Sequence, residues 1–86
     1  MDINTTLECE TFMNWISASF PSAEQVSTEL YFLSEAVDRE EYSPKALNQI
    51  INAVGRERMY FESDIIFEAL DQIAQQLDDI GAYTEQ

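Results

Sequence analysis

Apolar residues recur along the chain at intervals of three and four, which is the period of an α-helix, with little strand-like alternation. Only two glycines and two prolines interrupt the pattern, so it predicts four helices. The first is expected to open at Thr5, where Thr5 and Glu8 have capping-box spacing, and to end at Pro21. Its apolar stripe is Cys9, Phe12, Met13, Ile16 and Phe20, with Trp15 outside it.

Serine residues mark the predicted starts of the next two helices. Ser22 opens a second capping box, and Ser43 followed by Pro44 combines a favoured N-cap with a favoured first residue. The second helix is expected to end within residues 38–41, and the third at Gly55 in a left-handed conformation. The expected core positions are Val26, Leu30, Leu33 and Val37 in the second helix, and Leu47, Ile50, Ile51 and Val54 in the third.

The fourth helix has the most regular pattern and is expected to run from Ser63 or Asp64 to Gly81. Its apolar residues have the four-three spacing of a coiled-coil seam, at Ile66, Leu70, Ile73, Leu77 and Ile80. The sequence thus predicts an all-α fold, a small bundle of about four short helices that is dimeric, with coiled-coil-like packing of the C-terminal helix. Residues 1–86 form one acidic domain, with frayed ends expected at residues 1–4 and 82–86.

Composition excludes several classes of function. The 86 residues include 17 Asp and Glu, 4 Lys and Arg and no His, which gives a net charge of −13. Four scattered cations cannot form the basic face that binds phosphates, so we expect no direct nucleic-acid binding. The lack of His removes the commonest general base and zinc ligand, and Cys9 is interpreted as a small core residue. We expect no enzyme activity, no catalytic residue, no cofactor and no metal.

Charge and hydropathy also bear on location and assembly. There is no apolar run of 18 residues and no basic start followed by an apolar stretch, so we expect neither a membrane span nor a signal peptide. The expected location is the cytoplasm. Repulsion among about thirteen unbalanced charges opposes folding, and burial of further apolar surface in a homodimer is expected to offset it.

Negative charge is concentrated in the last part of the chain, since no cation follows Arg58. Carboxylates spaced by four, three and seven residues predict a ridge on the fourth helix, with near neighbours about 6 Å apart. This spacing resembles that of phosphates along one nucleic-acid strand. The alternative is that the charges only keep the protein soluble. The residues interpreted as a partner-binding acidic ridge are Glu62, Asp64, Glu68, Asp71, Asp78 and Asp79.

Aromatic residues suggest a second contact surface, because four one-sided stripes in so short a chain cannot bury all of them. Alternatively, they wrap the flanks of the core. The candidates for a dimer or partner surface are Trp15, Tyr31, Phe32, Tyr60, Phe61 and Phe67.

Four segments carry a family resemblance: residues 12–15, residues 35–37, residues 43–47 together with Ile50 and Ile51, and residues 64–70. Over roughly residues 12–75 the chain resembles the AriR and YcgZ type of two-component-system connector proteins, a small enterobacterial family linked to biofilm and acid-resistance control. The resemblance implies a small helical homodimer that regulates by docking on a signalling protein. It assigns no functional residue.

Together these observations predict a non-enzymatic, acidic, helical regulator that binds a basic site on a bacterial signalling or regulatory protein. Two alternatives stay open. One is a DNA mimic from a phage or mobile element that inhibits a restriction, CRISPR or transcription protein. The other is an immunity protein against a basic nuclease toxin.

Overall fold

The computed structural model describes residues 3–57 and 63–80 of the chain. Within these ranges the protein forms four α-helices and no strand: α1 (Ile3–Ser19), α2 (Ala23–Asp38), α3 (Pro44–Arg56) and α4 (Asp64–Asp79). This confirms the predicted all-α bundle. None of these helices combines the length and the apolar character needed to cross a membrane.

Serine caps start three of the helices as predicted. Ser22 caps α2, and its hydroxyl accepts a hydrogen bond from the Gln25 N–H at 3.2 Å while the Gln25 side chain accepts one from the Ser22 N–H at 2.9 Å. Ser43 caps α3, whose first residue is Pro44, and Ser63 caps α4. These bonds satisfy N–H groups that have no partner inside the helix, so local sequence alone defines the helix starts.

The bundle consists mainly of two helix pairs, α1 packed on α3 and α2 packed on α4. Side chains from α2, α3 and α4 form its fully buried centre, and α1 adds Phe12 and Ile16. Each large apolar side chain buried in this way stabilises the folded state by about 1.5 to 3 kcal/mol. The largest fully buried side chains are Val26, Leu30, Leu47, Ile50, Val54, Ile66, Ile73 and Leu77.

The predicted seam of α4 is only partly buried. Ile66, Ile73 and Leu77 are fully buried within this chain, whereas Leu70 is half-buried and Ile80 is 52% exposed. Within this chain, Ile80 therefore lies outside the buried part of the predicted seam. Ile80 is the C-cap residue that follows the last helical turn, so it does not extend the buried face.

Two other helix ends differ from prediction. α1 begins at Ile3, so Thr5 lies inside the helix, and α3 continues through Gly55 to Arg56. The helix passes Gly55 because Ala53 and Val54 are buried against the core, and packing outweighs the low helix propensity of glycine. The predicted end of α4 at Gly81 falls outside the described residues.

Phe20 was expected on the buried stripe of α1 but is 79% exposed. α1 ends at Ser19, and Phe20 adopts a positive φ of 47°. This turn removes the side chain from the helical face. Trp15, expected outside the stripe, packs against the core with its ring edge-on to Phe12 at a centroid distance of 5.5 Å.

Candidate functional site

Charge is distributed unequally between the two helix pairs. α1 and α3 together carry two carboxylates and two cations, which are Glu8, Glu10, Lys45 and Arg56. α2 and α4 carry no cation. Their nine carboxylates are Glu24, Glu29, Glu35, Asp38, Asp64, Glu68, Asp71, Asp78 and Asp79. The excess negative charge therefore belongs mainly to one packed pair of helices.

The predicted acidic residues of α4 share one exposed face. Successive residues of a helix are rotated by about 100° around its axis. The five acidic residues of α4 therefore fall within an arc of about 100° around that axis. The arc is centred opposite the buried face of Ile66, Ile73 and Leu77. We call the five residues the acidic ridge: Asp64, Glu68, Asp71, Asp78 and Asp79, all of them exposed. Glu62, the sixth predicted member, lies outside the described residues.

Polar contacts hold α2 beside the ridge. The Tyr31 hydroxyl donates to Gln72 Oε1 at 3.5 Å, and Gln76 Nε2 donates to Asp38 Oδ1 at 2.9 Å. Tyr31 pairs with Gln72 and Asp38 pairs with Gln76, so the paired residues occur in the same order along both helices. α2 and α4 therefore run parallel. The bond to Gln76 places Asp38 next to α4, and we call the acidic ridge together with Asp38 the acidic face.

Asp38 was missed by sequence reasoning. Its partner Gln76 is 38 positions away in the sequence, so no local spacing could reveal the contact. The spacing of Gln72 and Gln76 is a sequence signal for this contact. Two polar residues four positions apart, next to an apolar seam, favour hydrogen bonds to a neighbouring helix.

Cations do little to neutralise this surface. Arg39 pairs with Glu41 at 3.2 Å and with Glu35 at 3.9 Å, at the C-terminal end of α2. Among the residues that the structure describes, no ion pair reaches the acidic ridge. The ridge carboxylates are therefore available to cations from another molecule.

The predicted aromatic surface is dispersed. Phe32 is 57% exposed on the side of α2 opposite its buried face, whereas Tyr31 points towards α4. Phe67 lies on the flank of α4 away from Gln72, and Trp15 lines a cleft between α1, α2 and α3. The structure does not bring these four side chains into one patch. Tyr60 and Phe61 lie outside the described residues.

Cys9 has the properties of a packing residue. Burial raises the pKa of the Cys9 thiol above its ordinary value, Glu10 adds to the increase, and Arg56 opposes it. The thiol is therefore protonated at neutral pH and is a weak nucleophile. Within residues 3–57 and 63–80, no three or more Cys, Asp or Glu side chains are grouped so that they could hold a metal ion.

Comparison with known proteins adds no relative: the chain matches no protein-family model, no curated protein and no solved structure. The resemblance to connector proteins therefore stays a prediction.

Proposed function

We propose that the protein is a non-enzymatic regulator whose acidic face binds a basic site on a bacterial signalling or regulatory protein. The observation that carries the proposal is the placement of nine carboxylates and no cation on α2 and α4, with six of the carboxylates in the acidic face. A partner with a complementary basic patch would be attracted at long range and held in one orientation.

The positions of two ridge residues argue against a purely solubilising role. Asp78 and Asp79 lie in the last turn of α4, which contains no basic residue. Anions at this end of a helix interact unfavourably with the helix dipole, by about 0.3 to 1 kcal/mol each. Charges needed only for solubility could stand anywhere on the surface, so their presence at a costly position supports a role in binding.

The connector resemblance supports a cytoplasmic signalling protein of bacteria as the partner. The proposal includes a homodimer, for which the exposed rings of Phe32 and Phe67 provide apolar surface. Sedimentation equilibrium at micromolar concentration tests this part separately. A mass of one chain at all concentrations would remove the homodimer from the proposal.

A second candidate function is mimicry of a nucleic acid. It is supported by the first three residues of the acidic ridge, Asp64, Glu68 and Asp71, which follow one another at rises of about 6 Å and about 4.5 Å along the helix. A mimic would occupy the DNA- or RNA-binding site of a restriction, CRISPR or transcription protein, and the related immunity function would occupy the active site of a basic nuclease toxin.

Affinity capture from a bacterial lysate, followed by competition, distinguishes these functions. The leading proposal predicts capture of a component of a signalling pathway that duplex DNA does not displace. Mimicry predicts a nucleic-acid-binding partner that heparin and duplex DNA both displace. The matched protein for this experiment carries Asp64→Asn, Glu68→Gln and Asp71→Asn, and it should capture much less of either kind of partner.

A further inference from the structure

A cleft between α1, α2 and α3 lies outside the acidic face and has its own chemistry. Its larger part has a volume of about 550 Å³ and is bordered by Phe12, Trp15, Leu33, Tyr42 and Ile50, with Glu29 at its edge. This volume is within the range of cavities that bind small ligands or single large side chains. We call it the Trp15 cleft.

A smaller and more polar recess of about 270 Å³ adjoins the apolar part. It is bordered by Trp15, Glu24, Gln25, Thr28 and Glu29, so Trp15 and Glu29 belong to both parts. The cleft therefore has an apolar half and an acidic half that meet at an aromatic ring and a carboxylate.

The acidic half fits a guanidinium group. A planar arginine side chain stacks on an indole and can also form paired hydrogen bonds with a carboxylate. Glu24 and Glu29 have no ion-pair partner among the described residues, so both can pair with an incoming cation. The net charge of −13 attracts such a group from a distance.

The apolar half fits a large aliphatic or aromatic side chain next to that arginine. Phe12, Leu33 and Ile50 supply aliphatic and aromatic surface to this half of the cleft. We propose that the Trp15 cleft binds a peptide segment of a partner protein in which an arginine adjoins a large apolar residue.

This inference deepens the proposed function by naming the chemistry of a basic partner, and it rests on that partner being a protein. It does not depend on the acidic ridge, because α4 contributes no residue to either half of the cleft. Failure of one proposal can thus be distinguished from failure of the other.

The test uses the single tryptophan of the chain, Trp15, as the reporter. The tripeptide acetyl-Leu-Arg-Leu-amide is titrated into the full chain at about 150 mM salt, where long-range attraction is screened. We expect a saturable change in Trp15 emission with a dissociation constant below about 1 mM. The analogue with citrulline, the neutral isostere of arginine, and the analogue with alanine in place of both leucines should each bind much more weakly.

Two matched variants locate the binding. Glu29→Gln should weaken the tripeptide about tenfold, whereas Glu68→Gln, the same chemical change on α4, should leave its affinity unchanged. Both side chains are exposed, so neither change should disturb folding. Equal losses in the two variants, an unchanged affinity in Glu29→Gln, or no saturable change in emission would each overturn the proposal.

Discussion

Gln76 of α4 and Ser34 of α2 exchange two hydrogen bonds: the Ser34 hydroxyl donates to Gln76 Oε1, and Gln76 Nε2 donates to the Ser34 carbonyl at 3.3 Å. The same amide nitrogen donates to Asp38 at 2.9 Å. Ser34 is buried, so its polar groups depend on partners inside the protein. One glutamine therefore fixes the register between the two helices that carry most of the negative charge.

Replacement of Gln76 by alanine should lower the free energy of unfolding by about 1 to 2 kcal/mol, because it removes the partner of a buried hydroxyl. Urea denaturation followed by circular dichroism measures the loss. Gln75→Ala is the matched control, since Gln75 is exposed and should change stability by less than about 0.5 kcal/mol. Equal effects of the two changes would contradict the proposed role of Gln76.

Glu40 occupies a strained position after α2. It has a positive φ of 62°, and the Glu41 N–H donates to the Ala36 carbonyl at 2.8 Å, as in a Schellman motif. Glu40→Gly and Glu40→Ala remove the same charge, but only glycine adopts this conformation without strain. The free energy of unfolding of the Glu40→Gly variant should be about 1 kcal/mol higher than that of the Glu40→Ala variant. Equal stabilities would show that the position is not strained.

The seam of α4 gives a graded prediction. Leu77 is fully buried and Ile80 is 52% exposed. Leu77→Ala should lower the free energy of unfolding by about 2 to 5 kcal/mol by opening a cavity, and Ile80→Ala by less than about 1 kcal/mol. The measurement is chemical denaturation at two protein concentrations. A large and concentration-dependent loss in Ile80→Ala would mean that a second copy covers this end of α4.

Asp78 and Asp79 should affect stability and binding in opposite directions. Neutralising both as Asn should raise the free energy of unfolding by about 0.3 to 1 kcal/mol each, because the anions lie at the negative end of the helix dipole. It should also weaken partner binding. Glu24→Gln is the control for the effect on stability. Glu24 lies in the first turn of α2, at the positive end of the helix dipole, so neutralising it should lower the free energy of unfolding. Stabilisation with no loss of affinity would remove this pair from the binding surface.

Features determined by neighbouring residues could be predicted from the sequence. The starts of α2, α3 and α4 follow from Ser22, Ser43 and Ser63, whose side chains cap the adjacent backbone. The ridge follows from helical spacing once α4 is identified. The C-terminal end of α3 could not be predicted in this way, because the helix continues past Gly55 where the bundle buries Ala53 and Val54.

Features that join distant parts of the chain were not predictable. The Gln76 contact to Asp38 depends on the parallel packing of α2 on α4. The Trp15 cleft depends on three helices meeting with space left between them, and no spacing in the sequence encodes that space. Phe20 follows the apolar stripe of α1 in sequence but leaves it through one backbone torsion.

The affinity of the captured partner as a function of salt tests the claim that the acidic face is a binding surface. Three proteins are compared: the natural chain, the ridge variant (Asp64→Asn, Glu68→Gln, Asp71→Asn), and a variant with the same net charge (Glu10→Gln, Glu40→Gln, Glu41→Gln) whose changes lie outside the acidic face. Calorimetry at several salt concentrations gives each dissociation constant.

We expect the ridge variant to bind at least about tenfold more weakly and with a shallower salt dependence, because close charge pairs are lost. The variant of equal net charge should bind almost as tightly as the natural chain. Equal affinities for the natural chain and the ridge variant at low salt would contradict the claim, and the carboxylates of α4 would then be a solvated surface.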